Sequence, residues 1–273
     1  MPNDQSCQRL DVVMAAQGLS ETRSRAQALI MIGKVTVNGR IERKSGRLVG
    51  PQDRVVVAEG PLYVSRGGEK LAWALDQFDL NPHDWTVLDV GASTGGFTDC
   101  WLKRGAQKVF AVDVGYGQLD WRIRQDERVV ALERTNARYL TPAVFAGHLP
   151  FQGVSIDASF IGLELLLAPL GALMAPASSL VALVKPQFQA GRTQVGKGGI
   201  VRNPLIHEEV LTNIVHKAGG LGYVVRGLTP SPLRGARGNI EFLLHLGLDP
   251  ASARSIDIPQ VVQAAWKAGE RDG

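Results

Sequence analysis

The chain has 273 residues and a formal net charge of +4, and 45% of its residues are hydrophobic while 21% are charged. This composition is ordinary for a globular protein and leaves room for one large or two modest domains. Its two cysteines, Cys7 and Cys100, are isolated, so neither a disulfide framework nor a cysteine-based metal site is predicted. Because the N-terminus lacks a basic segment followed by an apolar one, no signal peptide is predicted, and the expected location is the cytoplasm.

Positive charge is concentrated in two regions of the chain. Residues 5–50 carry eight Lys or Arg against three acidic residues, and residues 165–207 carry four Lys or Arg and no acidic residue. Separated basic patches suit a polyanionic partner, because each neutralised phosphate releases counterions. Alone, such a bias more often serves solubility than nucleic-acid binding.

The first sixty residues form a predicted α+β unit of their own. Apolar residues at helical spacing indicate two short helices, the second with Ser20 as its N-cap and Gly33 as its end. Residues 35–40 then predict a strand that enters an Asn-Gly hairpin turn, and residues 54–57 predict the returning strand. We therefore place a first domain at 1–60.

Strands and helices alternate from residue 69 to residue 249, after a predicted linker at 61–68. This alternation is typical of βαβ units in a parallel sheet. Strands are predicted near 86–90, 108–113, 128–132, 154–157, 180–185, 222–229 and 240–246, and helices near 69–80, 96–105, 118–125, 161–174 and 204–219. The last two strands can pair as an antiparallel hairpin. The predicted fold class is α/β, a Rossmann-like sheet of seven mostly parallel strands beside a small α+β domain, and residues 250–273 are predicted as a tail with a short peripheral helix.

One apolar segment permits a rival interpretation. Residues 165–184 contain no charge and are formally long enough to cross a bilayer. Pro169, Gly171 and Pro176 interrupt the segment, and a helix, a turn and a central strand of a buried sheet produce the same apolar run. We predict the second arrangement and expect no stable membrane association.

Residues 86–97 are the most informative segment, because a strand there enters a glycine-rich turn. Glycine at Gly91, Gly95 and Gly96 lets the backbone approach a ligand closely. An acid that ends the next strand, roughly twenty residues after such a turn, is placed to hold a nucleoside ribose, and Asp113 stands there. The spacing is not that of a dinucleotide site, so the segment predicts a nucleoside cofactor. Asp89 and Asp113 could instead cap the helices that follow them.

Further motifs resemble two known families. QRLD at 8–11, SRAQALI at 24–30 and GKVTVNG at 33–39 resemble the S4 RNA-binding module, over about residues 7–54. The remainder resembles the FtsJ-like, Rossmann-type 2′-O-methyltransferases. Together with SRGGEKL at 65–71, DVGYGQL at 113–119, SIDASFI at 155–161, KPQF at 185–188 and GKGG at 196–199, the chain is similar to the TlyA family. That family is described both as haemolysins and as ribosomal RNA methyltransferases.

The resemblance implies S-adenosylmethionine-dependent 2′-O-methylation of a ribose, with a cytidine in ribosomal RNA as the target. Matched by motif, the catalytic tetrad of the superfamily falls on Lys70, Asp157, Lys185 and Glu241. The donor-binding residues are predicted to be Asp89, Gly91, Ser93, Thr94, Gly95, Gly96, Phe97, Asp113 and Asn136. RNA contacts are predicted at Arg9, Arg23, Arg25, Lys34, Arg40, Arg43, Lys44, Arg66 and Lys197. Ala92, Ser93 and Thr94 stand where a proline usually precedes the Gly-Gly pair, which favours the TlyA branch. No metal is predicted.

The chemistry requires help with a proton, because a ribose hydroxyl is a poor nucleophile at neutral pH. Lys185, at the predicted end of a strand, is expected to accept that proton or to steer the oxygen lone pair. Asp157 and Glu241 are expected to orient the two lysines, and Lys70 to hold the hydroxyl or a neighbouring phosphate. Taken singly, each of these charges is more often a solvated surface group. Two other functions stay open at this point, a membrane-lytic haemolysin and a noncatalytic RNA-binding factor.

Overall fold

The computed structural model describes residues 7–58, 61–145, 147–191, 194–196 and 198–269. It divides the chain into two compact units, one ending at Leu62 and the other spanning Tyr63–Gly269. Residues 63–68, predicted as linker, thus belong to the second unit, because a helix already starts at Arg66. Lys197, predicted as an RNA contact, lies outside the described residues.

The N-terminal unit is a small α+β fold. Its elements are β1 (Gln8–Arg9), α1 (Leu10–Ala16), α2 (Arg23–Met31), β2 (Val35–Val37), β3 (Arg40–Glu42), β4 (Leu48–Val49) and β5 (Val55–Val57). Strand β2 pairs antiparallel with β3 and β5, and β1 pairs antiparallel with β4. Asn38 and Gly39 both have positive φ angles, as a tight hairpin turn requires, so the predicted turn is confirmed. The strand that returns from this turn is β3, which was not predicted, whereas the predicted partner β5 pairs with the other edge of β2.

The core of this unit contains Leu10, Met14, Ile30, Val35 and Val37, all nearly inaccessible to solvent. These residues face each other from α1, α2 and β2, so burial of one apolar face per element holds the unit together. The N-cap of α2 is Thr22, whose hydroxyl accepts a hydrogen bond from the backbone N of Arg25. The predicted cap Ser20 is wrong, because its hydroxyl donates to the carbonyl of Thr22 instead.

The second unit alternates strands and helices as predicted. Its strands are β6 (Thr86–Val90), β7 (Lys108–Val112), β8 (Val129–Leu132), β9 (Phe151–Ile156), β10 (Met174–Val184), β11 (Val224–Pro230) and β12 (Phe242–Gly247). Its helices are α3 (Arg66–Gln77), α4 (Gly96–Lys103), α5 (Trp121–Arg124), α6 (Leu163–Leu170), α7 (Pro186–Gln189), α8 (Pro204–Gly220) and α9 (Ile258–Gly269).

Within the described residues, seven strands form one sheet in the order β11-β12-β10-β9-β6-β7-β8. The neighbours from β10 to β8 pair in parallel, while β12 is antiparallel to both β10 and β11. The predicted fold class and the predicted terminal hairpin are therefore confirmed. Because β6 lies between β7 and β9, the chain reverses direction across the sheet beside β6, which is where open α/β sheets bind ligands.

A large core on one face of the sheet joins the strands to α6, α8 and α9. Phe110, Phe145 and Phe151 meet edge-to-face in it, with ring centroids 5.0–5.5 Å apart. Val262 of α9 is fully buried in the same core. The C-terminal segment predicted as a peripheral tail is thus an integral part of the unit as far as residue 269.

The apolar segment 165–184 forms most of α6, a turn and all of β10, as predicted. None of the helices in the described ranges combines the length and the apolar composition that a membrane-spanning helix needs.

Candidate active site

The glycine turn after β6 is held in place by the ends of two neighbouring strands. Gly91 has a φ of +81°, and its backbone N donates to the carbonyl of Val112 at the end of β7. A Cβ at Gly91 would lie 2.6 Å from the carbonyl oxygen of Asp157, just after β9. Only glycine fits there, both for its backbone angle and for its space. The turn therefore brings the residue after β9 directly against the end of β6.

Asp113 fixes the other side of the turn. One of its carboxylate oxygens accepts a hydrogen bond from the backbone N of Ser93 at 2.8 Å, and the other accepts one from the backbone N of Gly115 at 2.7 Å. A cavity of about 470 Å³ opens beside it, and its wall includes Asp113, Ser93 and Asn136. We call it the Asp113 cavity. Its volume is typical of sites for small organic molecules.

Two residues predicted to touch the cofactor do not line a cavity at this site. Asp89 is fully buried, and its carboxylate accepts hydrogen bonds from Thr98 at 2.7 Å and Ser155 at 2.8 Å. Gly95 starts α4 with a φ of +94° and faces Leu119, to which an added Cβ would come within 2.8 Å. Asp89 lies behind the turn because side chains in a strand alternate between the two faces of the sheet, and Gly95 packs against Leu119 at the start of α4.

The buried Asp89 carboxyl makes stability depend on pH. Burial, with a smaller contribution from the Asp157 charge, raises the pKa of Asp89 to about 6, despite the hydrogen bonds from Thr98 and Ser155. The folded protein thus binds this proton more tightly than the unfolded chain does. The resulting stabilisation is complete below about pH 4 and disappears as the pH rises through about 6.

We expect Asp89→Asn to stabilise the protein relative to the wild type at about pH 8. The advantage should shrink by about 2 kcal/mol in the free energy of unfolding at about pH 4.5, where the wild-type carboxyl is protonated. Urea unfolding of both proteins at the two pH values measures the difference. An equal difference at both values would show that Asp89 titrates normally.

A second cavity, of about 310 Å³, adjoins the Asp113 cavity. Lys70, Asp157 and Lys185 line it, so three residues of the predicted tetrad share one space, and we call it the lysine cavity. The Lys185 ammonium lies 2.5 Å from a carboxylate oxygen of Asp157 and 3.0 Å from the hydroxyl of Ser159. Lys185 follows β10 and Asp157 follows β9, and these parallel strands are neighbours, so their carboxyl ends place the two side chains together.

The fourth residue of the tetrad stands behind Lys70. Glu241 is 3% exposed, and its carboxylate lies 2.5 Å from the Lys70 ammonium. Its other oxygen accepts a hydrogen bond from Gln187 at 3.3 Å. Glu241 does not line the lysine cavity. The four side chains therefore form two Lys–carboxylate pairs, with one pair wholly on the cavity wall and the other partly behind it.

Close contact between two helix N-termini brings Lys70 to the glycine turn. A Cβ at Gly68 of α3 would lie 2.7 Å from the carbonyl oxygen of Gly96 in α4, and a Cβ at Gly67 would lie 3.3 Å from the ring of Phe97. Small residues on both helices permit this approach. The two adjacent glycines of the SRGGEKL motif indicate a close contact between backbones, but their spacing does not indicate which helix they contact.

Seven of the nine predicted donor-binding residues line a cavity, and they fall into three groups. Gly91 and Ser93 line both cavities, while Thr94, Gly96 and Phe97 line only the lysine cavity. Asp113 and Asn136 line only the Asp113 cavity, where the Asn136 side chain also accepts the backbone N of Arg138. The two cavities thus meet along the turn and along the backbone that follows β9.

Sequence reasoning missed Phe160 and Phe188 as site residues. Phe160 is 86% exposed, has a φ of +62°, and lies on the wall of the Asp113 cavity. Its ring centroid is 4.4 Å from that of Phe188. A bulky exposed residue at positive φ is strained, and such strain concentrates at functional sites. The motifs SIDASFI and KPQF contain these residues, yet nothing in their spacing indicates that the rings meet.

The residues of the N-terminal unit that are predicted to contact RNA differ in their solvent exposure and in their ion pairs. Arg25, Arg40 and Lys44 are exposed, whereas Lys34 and Arg43 are half-buried. Arg9 and Arg23 both bind the buried Asp11 carboxylate at 3.0 Å, although about half of each side chain stays exposed. Burial alone would raise the pKa of Asp11, but the hydrogen bonds from Arg9, Gln27 and Arg23 hold it well below its usual range. These two arginines therefore have a structural partner already.

Arg66 lies outside that unit. It is the first residue of α3, is exposed, and lines the lysine cavity beside Lys70. An Arg at this place is positioned to meet a phosphate that enters the cavity.

Comparison with known families agrees with this geometry. The FtsJ-like methyltransferase model matches residues 63–248, and the S4 domain model matches residues 8–55. A solved structure of a Streptococcus thermophilus protein that carries a hemolysin name has a TM-score of 0.75 and 43% identity, and the match covers 98% of each chain.

Three curated relatives show the same relationship over most of the chain. The Bacillus subtilis protein YqxC is 48% identical over 95% of this chain and 94% of its own. The Mycobacterium tuberculosis 16S/23S rRNA (cytidine-2′-O)-methyltransferase TlyA is 42% identical, over 87% of this chain and 89% of its own. Hemolysin A of Brachyspira hyodysenteriae is 41% identical, over 87% of this chain and 98% of its own.

Proposed function

Because this chain belongs to the FtsJ-like methyltransferase family, we propose that it methylates a ribose 2′-hydroxyl, that of a cytidine in ribosomal RNA, with S-adenosylmethionine as the donor. The observation that most strongly supports this proposal is that the Asp113 cavity and the lysine cavity share Gly91, Ser93 and Asp157 in their walls. A nucleoside held in the first cavity would have its reactive end beside the lysines of the second. The relative from Mycobacterium tuberculosis, named for this reaction on 16S and 23S rRNA, supports the choice of substrate.

The residues of the Asp113 cavity fit S-adenosylmethionine. The Asp113 carboxylate lies where a ribose diol would be held. Gly91, where a Cβ would collide with the backbone of Asp157, lets the turn approach the end of β9 and contributes to the cavity wall. Asn136 and the backbone around Ala137 would face the adenine edge. When bound, this cofactor supplies an electrophilic methyl group on a positively charged sulfur.

The lysine cavity then has to align the acceptor oxygen and manage its proton. Lys185 would hold the hydroxyl and, as the neutral amine left after its ammonium releases a proton to solvent, would take up the hydroxyl proton, while the bound cofactor would supply the methyl group. Asp157, 2.5 Å from the Lys185 ammonium, would compensate the charge that appears there. Lys70, held by Glu241, would fix the hydroxyl or the adjacent phosphate. Alignment for in-line displacement is a large part of what such a site contributes.

Phe160 gives the acceptor nucleotide a surface to lie on. Its exposed ring contacts that of Phe188 and lies on the wall of the Asp113 cavity, next to Ser159, which lines both cavities. A base flipped out of an RNA helix loses its stacking partners, at a cost of a few kcal/mol, and an aromatic ring restores part of that loss.

The decisive experiment is incubation of purified 30S and 50S subunits, lacking the modification, with the protein and labelled S-adenosylmethionine. We expect label in ribosomal RNA at the 2′-oxygen of a cytidine, mapped by resistance of the neighbouring bond to alkaline hydrolysis. The same assay without subunits gives the background. Label on a base, or none above background, would exclude the proposed reaction.

The N-terminal unit would bind the RNA through phosphate contacts, so its affinity should depend on salt. We expect Arg25→Gln to weaken binding of ribosomal RNA two- to ten-fold and to lower the slope of log affinity against log salt by about one. Filter binding over a salt series measures both quantities. Lys267→Gln, a matched exposed cation in α9, serves as the control. If wild type and Arg25→Gln gave equal slopes, Arg25 would not contact an RNA phosphate, and its charge would serve solubility instead.

A further inference from the structure

A third cavity, of about 710 Å³, shares no lining residue with the Asp113 cavity or the lysine cavity and is larger than either. It lies between the end of α3, the strands β10, β11 and β12, and the segment that follows β12. Its volume falls in the range of small-molecule sites. The proposed reaction uses none of its residues.

A β-bulge in β11 places the cationic side chain of Arg226 on the wall of this cavity. Val225 pairs with Leu246 and Gly227 pairs with His245, so Arg226 is the extra residue between two registered pairs. Bulges redirect a side chain and are common beside binding sites. The Arg226 guanidinium donates only to neutral oxygens, the carbonyl of Ser178 at 2.9 Å and the hydroxyl of Ser252 at 2.6 Å among them. Within the described ranges no carboxylate lies at ion-pair distance from it.

His245 adds a neutral ring to the same wall. Its Nε2 lies 3.1 Å from the hydroxyl of Ser179, and its ring stacks on Phe78 with centroids 5.1 Å apart. Burial, helped by the charges of Arg226 and Arg254, lowers the pKa of His245 to about 4. The imidazole is therefore neutral near pH 7 and can donate or accept a hydrogen bond.

The wall carries more positive than negative charge. Arg226 and Arg254 face one carboxylate, that of Asp249, which already accepts the backbone N of Ala251. The Phe78 ring adds apolar surface to the lining of the cavity. A lining that combines cationic groups with apolar surface suits a small ligand that has a charged headgroup and an apolar body.

We infer that this cavity binds a small organic anion, with a phosphate or carboxylate between Arg226 and Arg254 and an apolar body against Phe78. Arginine recognises both anions through paired hydrogen bonds. Because the site stands apart from the lysine cavity, its occupant is neither the methyl donor nor the acceptor ribose.

Calorimetric titration of the full chain with phenyl phosphate and with phenylacetate tests the inference. Phenol, which has the ring without the charge, and inorganic phosphate, which has the charge without the ring, are the controls. We expect one of the two anions to bind at least about ten-fold more tightly than phenol, since a charge-assisted hydrogen bond contributes that much. The better probe identifies the headgroup. Equal affinities for phenol and both anions would overturn the inference.

Two variants locate the binding without disturbing the bulge. Arg254→Gln removes an exposed cation and should weaken the anion about ten-fold while leaving phenol unchanged. Ala177→Phe, on the cavity wall, should exclude both. Lys267→Gln is the matched control, and thermal unfolding of each variant checks the fold. Unchanged anion affinity in either variant would place the binding elsewhere and refute the inference.

Discussion

Lys185→Ala should lower the rate of methyl transfer to ribosomal RNA by roughly 10²–10⁴-fold, the range expected for loss of a positioned proton acceptor. Lys185 Nζ lies 2.5 Å from a carboxylate oxygen of Asp157 and 3.0 Å from the hydroxyl of Ser159, so the substitution removes the proposed proton acceptor and should leave the turn intact. Single-turnover transfer of labelled methyl, with saturating RNA, measures the chemical step.

Three comparisons make this result specific. Lys217→Ala removes an exposed lysine that pairs with Glu164 and should leave the rate unchanged. Binding of S-adenosylmethionine to Lys185→Ala should stay within about three-fold of wild type by calorimetry. Asp113→Ala should show the opposite pattern, with donor affinity lowered about ten-fold or more, because the carboxylate also holds the turn through Ser93 and Gly115. Near-normal transfer by Lys185→Ala would remove this lysine from the chemistry.

Glu241→Ala should destabilise the protein by about 3–5 kcal/mol and abolish transfer as well. Lys70 and Glu241 are 9% and 3% exposed, so removal of the carboxylate leaves a buried ammonium without its partner. Denaturant unfolding gives the loss of stability. Glu164→Ala breaks an exposed pair with Lys217 and should cost about 1 kcal/mol or less.

A double variant separates stability from function at this pair. In Lys70→Met/Glu241→Met both charges are gone, and replacement of a buried pair by apolar residues of similar volume is often neutral. We expect most of the lost stability to return while transfer remains abolished. A double variant with wild-type transfer would show that the pair only supports the fold.

The local signals of the chain were sufficient for the fold class and for the glycine turn. Alternating apolar runs and turn residues located every strand of the large sheet, because burial on both faces leaves a continuous apolar run in a parallel strand. Asp113 was predicted from its place at the end of a strand, and its two hydrogen bonds to the turn put it beside the cavity. The element boundaries were less accurate, as the start of α3 at Arg66 and the cap at Thr22 show.

Exposure at the site was the main property that the order of residues did not reveal. Asp89 and Asp113 both stand at strand ends beside the same turn, yet Asp89 is buried under Thr98 and Ser155. Which of these two acids lines the Asp113 cavity depends on the face of the sheet that α4 covers. That is decided by contacts between residues distant in sequence.

The amino-acid sequence by itself determined the two domain types, the positions of the strands along the chain, and the residue types available for the chemistry, because these depend on local periodicity and short motifs. Only the tertiary structure decided which lysine pairs with which carboxylate and where the cavities meet. Lys70 and Glu241 are separated by 171 positions, and the contact between α3 and α4 at Gly68 and Gly96 brings Lys70 to the turn. Side-chain convergence of this kind follows from how helices and strands pack, and packing has no signature in the spacing along the chain.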